Sequence, residues 1–127
     1  MLKLEVICVL SNAKGKKYMG LFGAFRSAVK DINDGYNEFK LTEGAKLVDV
    51  RSATEYHNGH IPGSINIPLE DIENIKTVIE DKSTPVFLYC LSGARSERAE
   101  GLLKKMHYTN AKNIGGIKNF SGGLVFQ

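Results

Sequence analysis

The chain has 127 residues, 43% hydrophobic and 24% charged, with three histidines, two cysteines and a formal net charge of +3. This is one domain's worth of sequence with apolar material for one core, and two cysteines are too few for a disulfide framework. No apolar run approaches the roughly 20 residues of a membrane span, and the opening ten residues, interrupted by Glu5, lack the ordered features of a secretory leader, so the cytoplasm is the expected compartment.

Residues 1–30 hold six basic residues against one acidic, and the remainder eleven against thirteen. The surplus positive charge therefore belongs to an N-terminal extension, 1–30, and not to the domain expected over 31–127. The extension reads as a solvated basic leader, because its cations lack the interleaved aromatics of a nucleic-acid surface; no nucleic-acid partner is expected. Met19-Gly20-Leu21-Phe22 reads as an alternative translation start. Ile32-Asn33 is expected to form a short first strand, with Asn33 capping a helix that turns Tyr36 and Phe39 inward and ends at Gly44. A second strand follows over 46–50, and Ser52-Ala53-Thr54-Glu55 fits a capping box that starts a short helix at once. Residues 64–67 read as a third strand, and Leu69, Ile72, Ile75 and Ile79 as the apolar face of a helix running to about Glu80. Val86-Phe87-Leu88-Tyr89, opened by Pro85, is a buried strand leading into Cys90. Ala99, Leu102, Leu103 and Met106 then mark the buried face of a helix, and residues 111–114 the last strand. This alternation predicts a parallel α/β sheet.

Cys90 stands between that fourth strand and Leu91-Ser92-Gly93-Ala94-Arg95-Ser96, which opens the helix. A strand end, a Gly-containing loop and a helix N-terminus surround one sulfur with unpaired N–H groups and about half a positive charge, to which Arg95 adds a cation. Such sites lower a cysteine pKa from about 8.5 to between about 3.5 and 7.5. A cysteine ending a core strand is commonly a small apolar filler. The loop decides the reading: two serines, a glycine and an arginine in six positions are poor core material and suit an anion cradle.

Three blocks now stand in register: Leu47-Val48-Asp49-Val50-Arg51 with Glu55-Tyr56; Gly59-His60-Ile61-Pro62-Gly63-Ser64-Ile65-Asn66-Ile67-Pro68; and Tyr89-Cys90-Leu91-Ser92-Gly93-Ala94-Arg95-Ser96. In order and spacing they closely resemble the rhodanese homology domain, over about residues 32–124, with Gly115-Gly116-Ile117 near the end. The resemblance implies a five-stranded parallel sheet with helices on both faces. It also implies a catalytic cysteine, Cys90 by position, that carries a sulfane sulfur as a persulfide.

On this reading a small sulfur-containing anion such as thiosulfate is the donor, and a low-molecular-weight or protein thiol, or cyanide, the acceptor. The N–H groups of Leu91, Ser92, Gly93, Ala94, Arg95 and Ser96 would hold the anionic sulfur. Arg95 would orient the donor and stabilise the loop; Ser92 and Ser96 would donate hydrogen bonds, Ser96 reading alternatively as the helix N-cap; Arg98 would widen the cationic entrance. Asp49, Arg51 and His60 read as structural, holding the sheet and its turns. No cofactor is called for, and His57, His60 and His107 lack metal-ligand spacing. Two other readings stand beside this one. A protein-to-protein sulfur relay would have the same sequence. A Cys-dependent phosphatase or arsenate reductase would place five residues between Cys and Arg, where this chain has four.

Overall fold

The computed structural model describes residues 31–126; the basic extension and Cys8 within it lie outside the described residues. The chain enters on helix α1, Ile32–Leu41, capped by Asp31, whose Oδ1 accepts from the Asn33 and Asp34 amides at 3.0 and 3.1 Å. The strand expected at Ile32-Asn33 is therefore the first turn of a helix. Asn33 does not cap it; its side chain donates to the Asn119 carbonyl and accepts from Ser121, tying α1 to the end of the domain. Tyr36 and Phe39 turn inward as expected, against Phe120 and Phe87. The helix gives way at Thr42, ahead of Gly44.

Four strands follow: β1, Lys46–Asp49; β2, Ser64–Asn66; β3, Val86–Cys90; and β4, Ala111–Gly116. They make one parallel sheet in the order β2-β1-β3-β4. Among the described residues the count is four and not five, because the segment expected as the extra strand is the capped start of α1. The capping box forms as read: Ser52 Oγ accepts from the Glu55 amide and Glu55 Oε1 from the Ser52 amide, opening α2, Ala53–His57. The apolar spacing at Leu69, Ile72, Ile75 and Ile79 is right, but it rides on a 3-10 segment, Leu69–Asn74, kinked at Asp71, and a single α-turn, α3, Ile75–Val78. Helix α4, Ala94–Lys105, buries Ala99 and Leu103 and leaves Leu102 38% exposed.

The sheet is covered on both faces. Alternate residues of β1 and β3 point to opposite sides: Val48, Val86, Leu88 and Cys90 pack with Ile72, Ile75, Ala99 and Leu103, whereas Leu47, Phe87 and Tyr89 pack with Ile32, Ile61 and Ile114. All five residues of β3 are buried, each large apolar side chain contributing about 1.5–3 kcal/mol. From β1 the chain steps outward to β2, then returns across β1 to lay down β3 and β4. The sheet thus reverses direction between β1 and β3, and in open parallel sheets ligands bind beyond the carboxyl ends of the strands at such a point.

Candidate active site

Cys90 ends β3 on the edge of that crevice, and the loop after it is shaped by two glycines. Gly93 takes φ +106° as the N-cap of α4, a conformation that a side chain would strain. Gly116 comes so close beneath that a Cβ there would meet the Leu91 carbonyl and the Ser92 backbone. The loop therefore folds back over its own sulfur. Cys90 Sγ accepts from the Gly93 amide at 3.0 Å and from the Ser96 amide and hydroxyl, each at 3.4 Å. Burial pushes the thiol up, but the Ser96 hydroxyl and the amides of Ser96, Gly93 and Ser92 outweigh it and hold the Cys90 pKa below the ordinary value. Ser96 is the third residue of α4 and not its N-cap.

The remaining loop residues divide by exposure. Leu91 and Ser92 are exposed and form the lip, as is Ala94; Arg98 is exposed one turn along α4. Arg95 turns across the crevice to Glu55 on α2, Nη1 to Oε1 at 2.9 Å and Nη2 to Oε2 at 3.1 Å. This joins the first residues after β3 to the first residues after β1, on either side of the reversal point. The guanidinium holds the Glu55 carboxyl down at about 2.

Asp49, Arg51 and His60 occupy structural positions. Arg51 donates to both Asp49 carboxylate oxygens and to the Gly59 carbonyl, with Asp49 fully buried. His60 stacks on Tyr56 at 3.7 Å and its Nδ1 meets the Tyr56 carbonyl at 2.9 Å. No group of three or more His, Cys, Asp or Glu able to hold a metal is assembled among the described residues, and none of their helices is long and apolar enough to cross a membrane.

Two site residues escape the sequence reading. Glu55 is legible as half of a capping box and within the first motif block, but its pairing with Arg95 is not, since that partner lies forty positions away. Asn113 on β4 is the other. Its Oδ1 lies 2.7 Å from Ser96 Oγ, sharing that hydroxyl's single proton with Cys90 Sγ, and accepts from the Gly115 amide at 2.9 Å, while its Nδ2 donates to the Gly93 carbonyl at 3.2 Å. A bulge permits this, since β4 slips against β3 so that Asn113 faces Leu88 and Gly115 faces Tyr89. The only local sign of it is an Asn shortly before Gly115-Gly116.

A parallel α/β sheet with a thiol of lowered pKa seated in a loop of amides, at the point where strand order reverses, defines the class as α/β domains with a cysteine-centred loop beyond the sheet. Residues 37–122 match the model of the rhodanese-like domain. The thiosulfate sulfurtransferase PspE of Escherichia coli (strain K12) is 40% identical over 75 residues, 58% of this chain and 72% of that protein. The uncharacterized protein YqhL of Bacillus subtilis (strain 168) is 42% identical over 81 residues, 63% of this chain and 64% of that protein. A solved structure described as a rhodanese with anions from E. coli superposes with a TM-score of 0.62 at 37% identity, over 65% of this chain and 99% of that one. The chain belongs to the rhodanese-like domain family.

Proposed function

We propose that this protein is a sulfurtransferase that carries a sulfane sulfur on Cys90. The thiolate attacks the outer sulfur of a donor such as thiosulfate; the S–S bond of the donor breaks, sulfite leaves with the electron pair, and Cys90 holds the transferred atom as a persulfide anion. The amides of Gly93 and Ser96 and the Ser96 hydroxyl stabilise the negative sulfur without a proton moving. A thiolate or cyanide then attacks the terminal sulfur and Cys90 returns as thiolate. No general base is required, which agrees with the structural roles of Asp49 and His60. The observation that carries this reading is the convergence of two backbone amides, with a shared Ser96 hydroxyl, on one buried sulfur. The four-residue spacing from Cys90 to Arg95, with Arg95 turned away to Glu55, favours a single sulfur atom over a tetrahedral oxyanion.

The test is an intact mass spectrum of reduced protein after brief thiosulfate treatment, then after cyanide, with Cys90→Ser in parallel. One added sulfur, removed by cyanide and absent from the variant, is expected. A folded protein whose Cys90 alkylates readily yet takes no sulfur from thiosulfate, from a thiosulfonate or from a protein persulfide would overturn the proposal. Slow loading from thiosulfate with fast loading from a protein persulfide would identify the physiological donor as a partner.

A further inference from the structure

The side-chain charge at the mouth of the site is cancelled from within. Arg95 is the loop's own cation, and each of its terminal nitrogens gives one N–H to the Glu55 carboxylate, which offsets its charge. Behind it, Arg51 is likewise committed to buried Asp49. What attracts an anion to Cys90 is then a compensated Arg95, exposed Arg98 one turn along, and backbone dipoles that fall off over the first turn of the helix. A dianion approaching this site meets a carboxylate already seated on the arginine that would otherwise receive it. We propose that Glu55 is a specificity-determining residue of this site: by occupying Arg95 it disfavours dianionic sulfur donors relative to donors carrying one negative charge, the class of thiol-borne persulfides and thiosulfonates. The assignment of the donor class rests on the sulfur-transfer reading above, whereas the charge effect at Cys90 does not.

The geometry supports a role beyond holding the helix. A capping box needs only one oxygen on the third residue, and Oε1 supplies it to the Ser52 amide. The second oxygen bonds to Arg95, and the negative charge acts first on Arg95 and more weakly on Arg51. Glu55→Gln keeps an oxygen for the cap and removes the charge, so it separates the two roles. It also frees Arg95 to face the crevice.

Two matched pairs of reagents read the effect, each differing by one negative charge. Iodoacetate and iodoacetamide alkylate the Cys90 thiolate whether or not the protein transfers sulfur. Thiosulfate and methanethiosulfonate both give up their outer sulfur to Cys90, releasing sulfite and methanesulfinate respectively, with charge conserved in each case. In Glu55→Gln at low salt, the iodoacetate-to-iodoacetamide rate ratio and the thiosulfate-to-methanethiosulfonate kcat/KM ratio are each expected to rise roughly three- to tenfold, from Coulomb's law across several ångströms of wet crevice. The rise should shrink as salt is added. Arg95→Met, which leaves the carboxylate uncompensated, should move both ratios the other way. Ratios within twofold of the parent in both variants at low salt, or equal slowing of both members of each pair, would overturn the proposal and leave Glu55 a capping residue. If neither donor loads Cys90 in the parent protein, the sulfur-transfer reading fails, and with it the assignment of donor class; the alkylation ratio still decides the charge effect.

Discussion

Gly116→Ala tests how tightly the floor of the site sets the shape of the loop above it. Gly116 has φ −122° and ψ 138°, extended backbone that alanine adopts without strain, so the effect of the change is purely one of space. The new methyl carbon would lie 2.6 Å from Ser92 Cα and 2.7 Å from its carbonyl carbon, where nonbonded carbons need about 3.5 Å. The loop must therefore lift by ~1 Å, and backbone cannot swing aside as a side chain can. Lifting also strains the bond from the Lys118 amide to the Leu91 carbonyl, 3.2 Å in the unsubstituted chain. Overpacking of this kind costs about 1–3 kcal/mol, and in a domain of this size each kcal/mol lowers Tm by about 4–8 °C. The larger consequence is chemical. A misplacement of 1 Å in a positioned site can cost about a hundredfold in rate, because the Gly93 amide, held 3.0 Å from Sγ, moves with the loop. The assay is the second-order rate of Cys90 alkylation and of sulfur loading at a temperature well below the measured Tm, so that loss of fold and loss of geometry are read separately. An alanine variant that melts with the parent and reacts at the parent's rate would refute the argument that the loop rests on Gly116.

Ser96→Ala removes a hydroxyl that helps hold the Cys90 pKa below its ordinary value. With the stabilising donor gone the pKa rises, the thiolate fraction at neutral pH falls, and the midpoint of the alkylation pH profile should move up; an unmoved midpoint contradicts the cradle. Tyr89→Phe leaves the amide of Ile61, which donates to the Tyr89 hydroxyl at 3.1 Å inside the core, without an acceptor. It should cost about 1–3 kcal/mol in urea unfolding, whereas a variant as stable as the parent would mean that the amide finds another partner.

What the sequence discloses here follows distance along the chain. The capping box at Ser52 and Glu55 is legible because both halves lie within one turn, and Val86–Cys90 because a short β-branched and aromatic run between turn residues has little else to become. Ile32-Asn33 misleads for the same reason of scale: two residues with strand-like character are overruled by Asp31, whose carboxylate captures the next two amides and commits the segment to a helix. Leu102 fits helical spacing as well as Leu103, but only one of two adjacent residues can face the sheet squarely, and Leu103 takes that place. In the site, Cys90 and the Gly93 and Ser96 amides that reach its sulfur come from one stretch of seven residues. The partners that tune it come from afar, Glu55 across the reversal between β1 and β3, and Asn113 through a bulge in β4. No local pattern encodes such meetings, because they exist only once the sheet has chosen its strand order.

Cys90 is only 1% exposed, with Leu91 and Ser92 standing at the surface around it. A thiol at that depth is open to a slim reagent and closed to a bulky one, so a free cysteine on another protein has little to grasp while the site is empty. A second sulfur, attached by a bond of about 2 Å, would stand beyond Sγ and change what the loop presents. On the proposed sulfur-transfer reading, the empty and the loaded protein would therefore offer different faces to an acceptor.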